Sequence, residues 1–130
     1  MAHFLMPLLR STEPHGLKIE RTGAWLAETL QPAFDSKTRK QGLLGRDGLE
    51  AGTGLVIAPC QAVHTFGMRF PIDVVAVARD GRVVKWRGSV DRRRIVVALS
   101  AFAIVELPTG TCAQIGVRPG DRLIVVPSPH

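Results

Sequence analysis

The chain predicts a mainly β, α+β fold: a compact β-barrel or closed sheet with one or two short helices. Three observations lead there. Short runs rich in Val, Ile and Leu recur between turn residues, notably at 55–58, 72–79, 82–86, 101–107 and 122–126. Asp80-Gly81 stands between two of these runs and is the pair that favours a tight hairpin. Only two brief segments carry helix start and stop signals.

Taken in order, residues 1–16 contain Pro7, Pro14 and Gly16 without clear periodicity, so an irregular lead-in is expected ahead of a single domain at 17–130. Phe4, Leu5 and Leu8 are expected to lie on that domain. Leu17 to Leu30 reads as two extended segments around Thr22-Gly23, with a helical turn over Trp25–Leu30 as the alternative. Pro32 is expected to break the chain. Asp35 and Ser36 are helix-capping residues and Gly42 is a stop, which places a short surface helix at about 36–42. Five glycines between Gly42 and Gly54 then imply loop geometry. Their spacing matches neither standard phosphate-binding glycine pattern. Leu55–Ala58 follows as a buried strand closed by Pro59.

Ile72–Arg79 and Arg82–Trp86 form the expected hairpin. A two-residue turn sets Arg79 opposite Arg82, Val77 opposite Val84 and Val75 opposite Trp86. Alternation then gives Val75, Val77, Val84 and Trp86 one face, with Asp73 at its rim, and gives Lys85 and Arg87 the other. Ile95–Leu99 and Ala101–Leu107 read as further strands. Thr109 or Thr111 starts a brief helix that ends at Gly116, and Arg118-Pro-Gly-Asp121 makes a type II turn into a last strand, Arg122–Val126.

Composition limits function more than it defines it. A chain of 130 residues is 45% hydrophobic, 22% charged and 5% aromatic with no tyrosine, which describes a soluble domain with an aliphatic core. The net charge of +6 favours anionic partners. No apolar run approaches the roughly 18 residues of a membrane-spanning helix. The segment Met1–Arg10 lacks the charged start of a secretory signal and is interrupted by Pro7, so a cytoplasmic location is expected. Two distant cysteines, Cys60 and Cys112, form no disulfide framework. With His64 they offer three ligands where a closed zinc site wants four, so neither a metal nor another cofactor is expected.

The ordered set Gly42-Leu-Leu-Gly-Arg46, Gly54-Leu55, His64-Thr65 with Met68, Ile72-Asp73-Val74, Asp80-Gly81-Arg-Val-Val84, Glu106-Leu-Pro-Thr-Gly110, Gly116 and Gly120-Asp121-Arg-Leu123 resembles the family called domain of unknown function 192. The likeness covers about residues 42–126. It implies a small, mostly β domain of bacteria and archaea with no established activity. Many relatives look exported, which the start of this chain does not match. Relatives often carry a proline around Val90-Asp91, and this chain has none there.

The stretch His64-Thr-Phe-Gly-Met-Arg-Phe-Pro-Ile-Asp73 gathers a histidine, an arginine, a carboxylate and a methionine ahead of a strand. His64, Thr65, Met68, Arg69, Asp73 and Glu106 are therefore the candidate ligand- or partner-binding residues. One reading sets them around a pocket at the strand ends, where a carboxylate orients the imidazole. The opposing reading has Asp73 and Glu106 accept backbone N–H bonds and serve only the fold. Asp121, after Pro-Gly, is read as a turn-stabilising side chain. Ser89, Ser100 and Ser128 lack a nucleophile elbow, and neither cysteine has an activating local context, so no catalytic constellation is evident.

Between Arg79 and Arg94 lie seven basic and two acidic residues. Arg79, Arg82, Lys85, Arg87, Arg92, Arg93 and Arg94 are either an anion-docking patch or a solvated face whose charges deter edge pairing. The absence of stacking aromatics there disfavours single-stranded nucleic acid. The expected function is a non-enzymatic module that binds a small molecule or a protein near His64–Asp73. Its alternatives are a hydrolase-like enzyme using His64 with Asp73 or Glu106, and anion or nucleic-acid docking through residues 79–94. Oligomeric state is not legible.

Overall fold

The computed structural model describes residues 2–130. A five-stranded sheet lies at the centre, with its three inner strands buried on both faces. Its order is β3 (Thr29–Ala33), β4 (Thr53–Ile57), β9 (Ala103–Pro108), β6 (Ile72–Val77) and β7 (Val83–Val90). Neighbours run antiparallel except β3 and β4, which are parallel. A three-stranded sheet, β10 (Leu123–Pro127), β1 (His15–Ile19) and β2 (Trp25–Ala27), covers one face. A two-stranded ribbon of β5 (Ala62–His64) and β8 (Ile95–Val97) contributes to the cover of the other. Among the described residues three helices of five or six residues complete the fold: α1 (Met6–Arg10), α2 (Ser36–Gln41) and α3 (Thr111–Ile115).

Burial on both faces accounts for the composition of the central strands. All six residues of β6 are buried, and its sequence, Ile-Asp-Val-Val-Ala-Val, is near-continuously apolar instead of alternating. Val75, Val77, Val105 and Leu107 face a cluster shared with Leu17, Ile19, Leu123 and α1's neighbour Leu5. Val74, Ala76, Leu55, Ile57 and Ile104 face a second cluster with Leu43 and Met68.

The mainly β architecture expected from sequence is present, but no closed ring of strands joins the three sheets among the described residues. β7 and β10 meet only at a short seam. There Arg82 bridges Arg122, the Val83 N–H donates to Asp121 O at 2.7 Å, and the Leu123 N–H donates to Gly81 O at 2.7 Å.

The β6–β7 turn lies where Asp80-Gly81 placed it, but it is not the two-residue type. Ala78 N–H donates to Arg82 O at 2.8 Å and Gly81 N–H to Ala78 O at 3.0 Å, which makes a longer turn ending in a left-handed Gly81 (φ +94°). A Cβ at Gly81 would lie 2.5 Å from Leu123 O, so the approach of β10 also requires glycine. A bulge between Ala76 and Val77 accompanies the turn. Val77 therefore faces Val83 instead of Val84, whereas Val75 does face Trp86. Val83 consequently joins the first cluster and Val84 packs on the second. Arg79 does not pair with Arg82: its guanidinium lies 4.5 Å over the Phe102 ring.

Two more expectations change. Pro32 sits within β3, where an edge position tolerates the missing N–H. The lead-in is not wholly irregular: Pro7 lies in the first turn of α1, Leu5 is 1% exposed, and β1 already begins at His15. Trp25–Ala27 is strand, not helix. No helix of the described residues is long and apolar enough to cross a membrane.

Candidate functional site

Asp73 and Glu106 come from adjacent central strands but point to opposite faces. Val74 pairs with Glu106 and Asp73 with Leu107, so alternation sends the two carboxylates apart. Asp73 is fully buried and accepts three backbone N–H bonds, from Ser89 at 2.8 Å, Gly110 at 3.0 Å and Cys112 at 2.8 Å. It thereby ties the end of β7 to the start of α3. Glu106 is 4% exposed, and its Oε1 has no hydrogen-bond partner. Burial pushes its carboxyl from 4.5 up to about 7, with the positive charge of Arg46 opposing the rise.

Glu106 lies at a cavity of about 470 Å³ on the second-cluster side of the sheet. Capped by Asp35, whose carboxylate accepts the Thr38 N–H at 2.8 Å, α2 brings Arg39 and Lys40 to this cavity. Gly42 ends the helix at φ +49°, and a Cβ there would lie 3.4 Å from Glu106 Oε1. Arg39 reaches across from α2, its Nη1 donating to Pro59 O at 3.2 Å. Ile57 of β4, Cys60 and the β5 residues Val63 and His64 complete the opposite side. The Cys60 thiol donates to Ala62 O at 3.1 Å, and burial pushes its pKa above the usual 9.

The structure brings together three of the sequence-selected residues, His64, Met68 and Glu106, at this cavity. His64 is exposed, with its ring 5.9 Å from that of Phe66. Thr65 turns inward instead: its hydroxyl donates to Asp91 O at 2.6 Å and accepts the Arg94 N–H at 2.8 Å, clamping the β7–β8 turn. Arg69 is exposed and pairs with Asp47 at 2.7 Å. Asp73 lies behind the sheet. Cys112 packs in the first cluster and Cys60 beside the second, so Cys60, His64 and Cys112 do not converge. Both cysteines are free thiols.

Arg39, Lys40, Gly42 and Cys60 were not among the sequence candidates. The capping pattern at Asp35 and Gly42 located the helix, but a short polar helix has no apolar period to say what it covers. Asp121 holds its turn: it accepts from Arg21 Nε at 2.7 Å, Arg21 Nη2 at 2.9 Å and the Arg118 N–H at 2.8 Å. Its bond to Arg21 chiefly holds its carboxyl below the usual range.

The basic residues divide between the two ends of the eight-residue β7. Arg79 and Arg82 stand at the β6–β7 turn, where Arg82 lies 3.6 Å from Asp80. Arg92, Arg93 and Arg94 stand at the other turn, and the first two line a separate hollow beside Gly67. The two groups are separated by the length of β7, at most roughly 25 Å. Lys85 and Arg87 lie between them on β7 itself, Lys85 partly buried and Arg87 exposed.

These features describe a mainly β domain in which, among the described residues, a buried carboxyl at a cavity has one oxygen without a partner. The family model for domain of unknown function 192, described as an uncharacterized ACR, matches residues 17–125, and the chain belongs to that family. No curated protein matches. Two crystal structures share the fold. A protein of unknown function from Novosphingobium aromaticivorans DSM 12444 is 20% identical with a TM-score of 0.73, covering 85% of this chain and 82% of its own. A candidate transcription regulator from Sinorhizobium meliloti 1021 is 22% identical with a TM-score of 0.75, covering 95% of both chains.

Proposed function

We propose that this protein is a non-enzymatic binding module that takes a small ligand into the cavity between α2, β5 and β9. The observation that carries this reading is Glu106 Oε1, buried without a partner. A polar atom taken out of water without a hydrogen bond costs free energy, and buried polar atoms nearly always find partners. A ligand donor at this position removes that cost on binding. A volume of about 470 Å³ is in the range of small-molecule sites, and the mixture of apolar walls with a few polar groups is typical of them.

The hydrolase alternative has less support. Asp73 is bonded to three amides behind the sheet and does not orient His64, and Glu106, although it lines the same cavity as His64, accepts no bond from it at Oε1. The Cys60 thiol, with its pKa raised, is a poor source of thiolate.

A fragment library followed by backbone-amide NMR tests the reading. Hits are expected to move Gly42, Cys60, Val63, His64 and Met68. Hits that gather instead beside Arg92 and Arg93, or a library without any hit, would count against it.

A further inference from the structure

Resting on the pocket reading above, we infer that the ligand is a small molecule with an N–H or O–H donor at one end and an anionic group at the other. The donor meets Glu106 Oε1 at the buried end of the cavity, and the anion meets Lys40 and Arg39 of α2. Three observations fit together in this assignment.

The first is the buried acceptor. Glu106 Oε1 has no partner, and the neighbouring position is glycine, where any side chain would come within 3.4 Å of that oxygen. Gly42 at the end of α2 thus sets no side chain against an oxygen that is screened from solvent. The second is the charge around it. Arg39 and Lys40 line the same cavity, and Lys40 makes no ion pair among the described residues. A simple amine would gain from Glu106 but be repelled by two cations. A molecule with its own anion turns that repulsion into attraction. The third is the wall between, where Leu43, Leu44, Ile57 and Met68 offer apolar surface to the ligand's body. A carboxyl raised to about 7 is part ionised near neutrality, so it serves an amide donor as well as an ammonium.

A five-carbon series separates the possibilities: valerate carries only the anion, valeramide only the neutral donor and pentylamine only the cation. Glutaramate joins an amide to a carboxylate, and 5-aminovalerate joins an ammonium to one. Binding is read by the Gly42 and Val63 amides and by protection of Cys60 from a thiol reagent. Glutaramate or 5-aminovalerate should bind about tenfold more tightly than valerate or valeramide, the worth of one added charge-assisted bond.

Glu106→Leu should reduce both bifunctional probes to the affinity of valerate. Lys40→Glu, on an exposed helix position, should weaken them severalfold and leave valeramide unchanged. Spectra of each variant report whether it is folded. If pentylamine binds most tightly, or the ranking survives both substitutions, the ligand class is wrong although the pocket stands. If no probe of the series reaches the pocket amides or protects Cys60, this ligand class falls; the fragment library, which does not depend on it, decides whether the pocket reading falls too.

Discussion

Asp73 and Glu106 are the same kind of group in nearly the same place, yet their circumstances are opposed. Both are buried on neighbouring central strands, 0% and 4% exposed. Asp73 collects three amide donors, one from the end of β7 and two from the start of α3, and holds them together. Glu106 faces a cavity, and one of its oxygens meets nothing. That contrast marks where function is to be sought in this fold. A carboxylate whose bonds are all made by the chain is part of the scaffold, whereas one left unmatched beside open space is available to something else.

The largest expected loss of stability breaks the contrast on the Asp73 side. Asp73→Ala removes the acceptor of one buried N–H, that of Cys112, and of two part-buried ones, those of Ser89 and Gly110, and should cost about 2–3 kcal/mol in urea denaturation, at about 1–3 kcal/mol for a buried orphan and less for groups that water can reach. A loss under about 1 kcal/mol would mean that the three bonds do not hold β7 to α3.

Next comes Glu106, with the opposite sign. Its carboxyl titrates near 7 in the fold and at 4.5 in the unfolded chain. Below pH 4.5 both states are protonated and there is no penalty. As pH rises from 4.5 to 7 the unfolded state ionises first, so this group lowers stability progressively across that window. Above it the full penalty, about 3 kcal/mol from the conversion of pKa shift to free energy, is present. Glu106→Gln should therefore stabilise the protein by up to about that amount at pH 8 and hardly at all at pH 4. A stability difference that stays flat with pH would contradict the burial argument.

The cysteines sharpen the comparison further, one on each side. Cys60 borders the cavity and Cys112 is fully buried beside Asp73. In the native protein a thiol reagent should modify Cys60 at least about a hundredfold faster than Cys112, whose exposure needs local unfolding. Equal rates, followed by mass spectrometry, would show that the Asp73 side opens as readily as the cavity. The smallest effect belongs to the exposed pair of Arg69 and Asp47: Arg69→Ala should change stability by less than about 1 kcal/mol.

Sequence carried much of the scaffold and part of the cavity. Asp80-Gly81 marked the hairpin, and Asp35 with Gly42 marked α2, because turn and cap chemistry is local. The register of the hairpin was not legible, since a bulge at Ala76 and Val77 leaves no residue-type signature. Nor was burial of β6 on both faces, because the three-stranded sheet that covers one side is assembled from the two chain ends. Asp73 was grouped with His64 through nearness in sequence. The pleat decides otherwise: one step along a strand reverses the side chain, and Asp73 is opposite Leu107 where Glu106 is opposite Val74. Glu106 was visible as a carboxylate inside an apolar run. Its cavity was not, because α2 is polar and joins the site only through the path of the chain.

The most direct test of the central claim is the titration of the Glu106 side-chain carboxyl, followed by carbon NMR in the unliganded protein. A midpoint near 7 is the predicted result. A midpoint in the ordinary carboxylate range, close to 4.5, would mean that the group is hydrated or already partnered, and the argument for a ligand at this cavity would lose its footing.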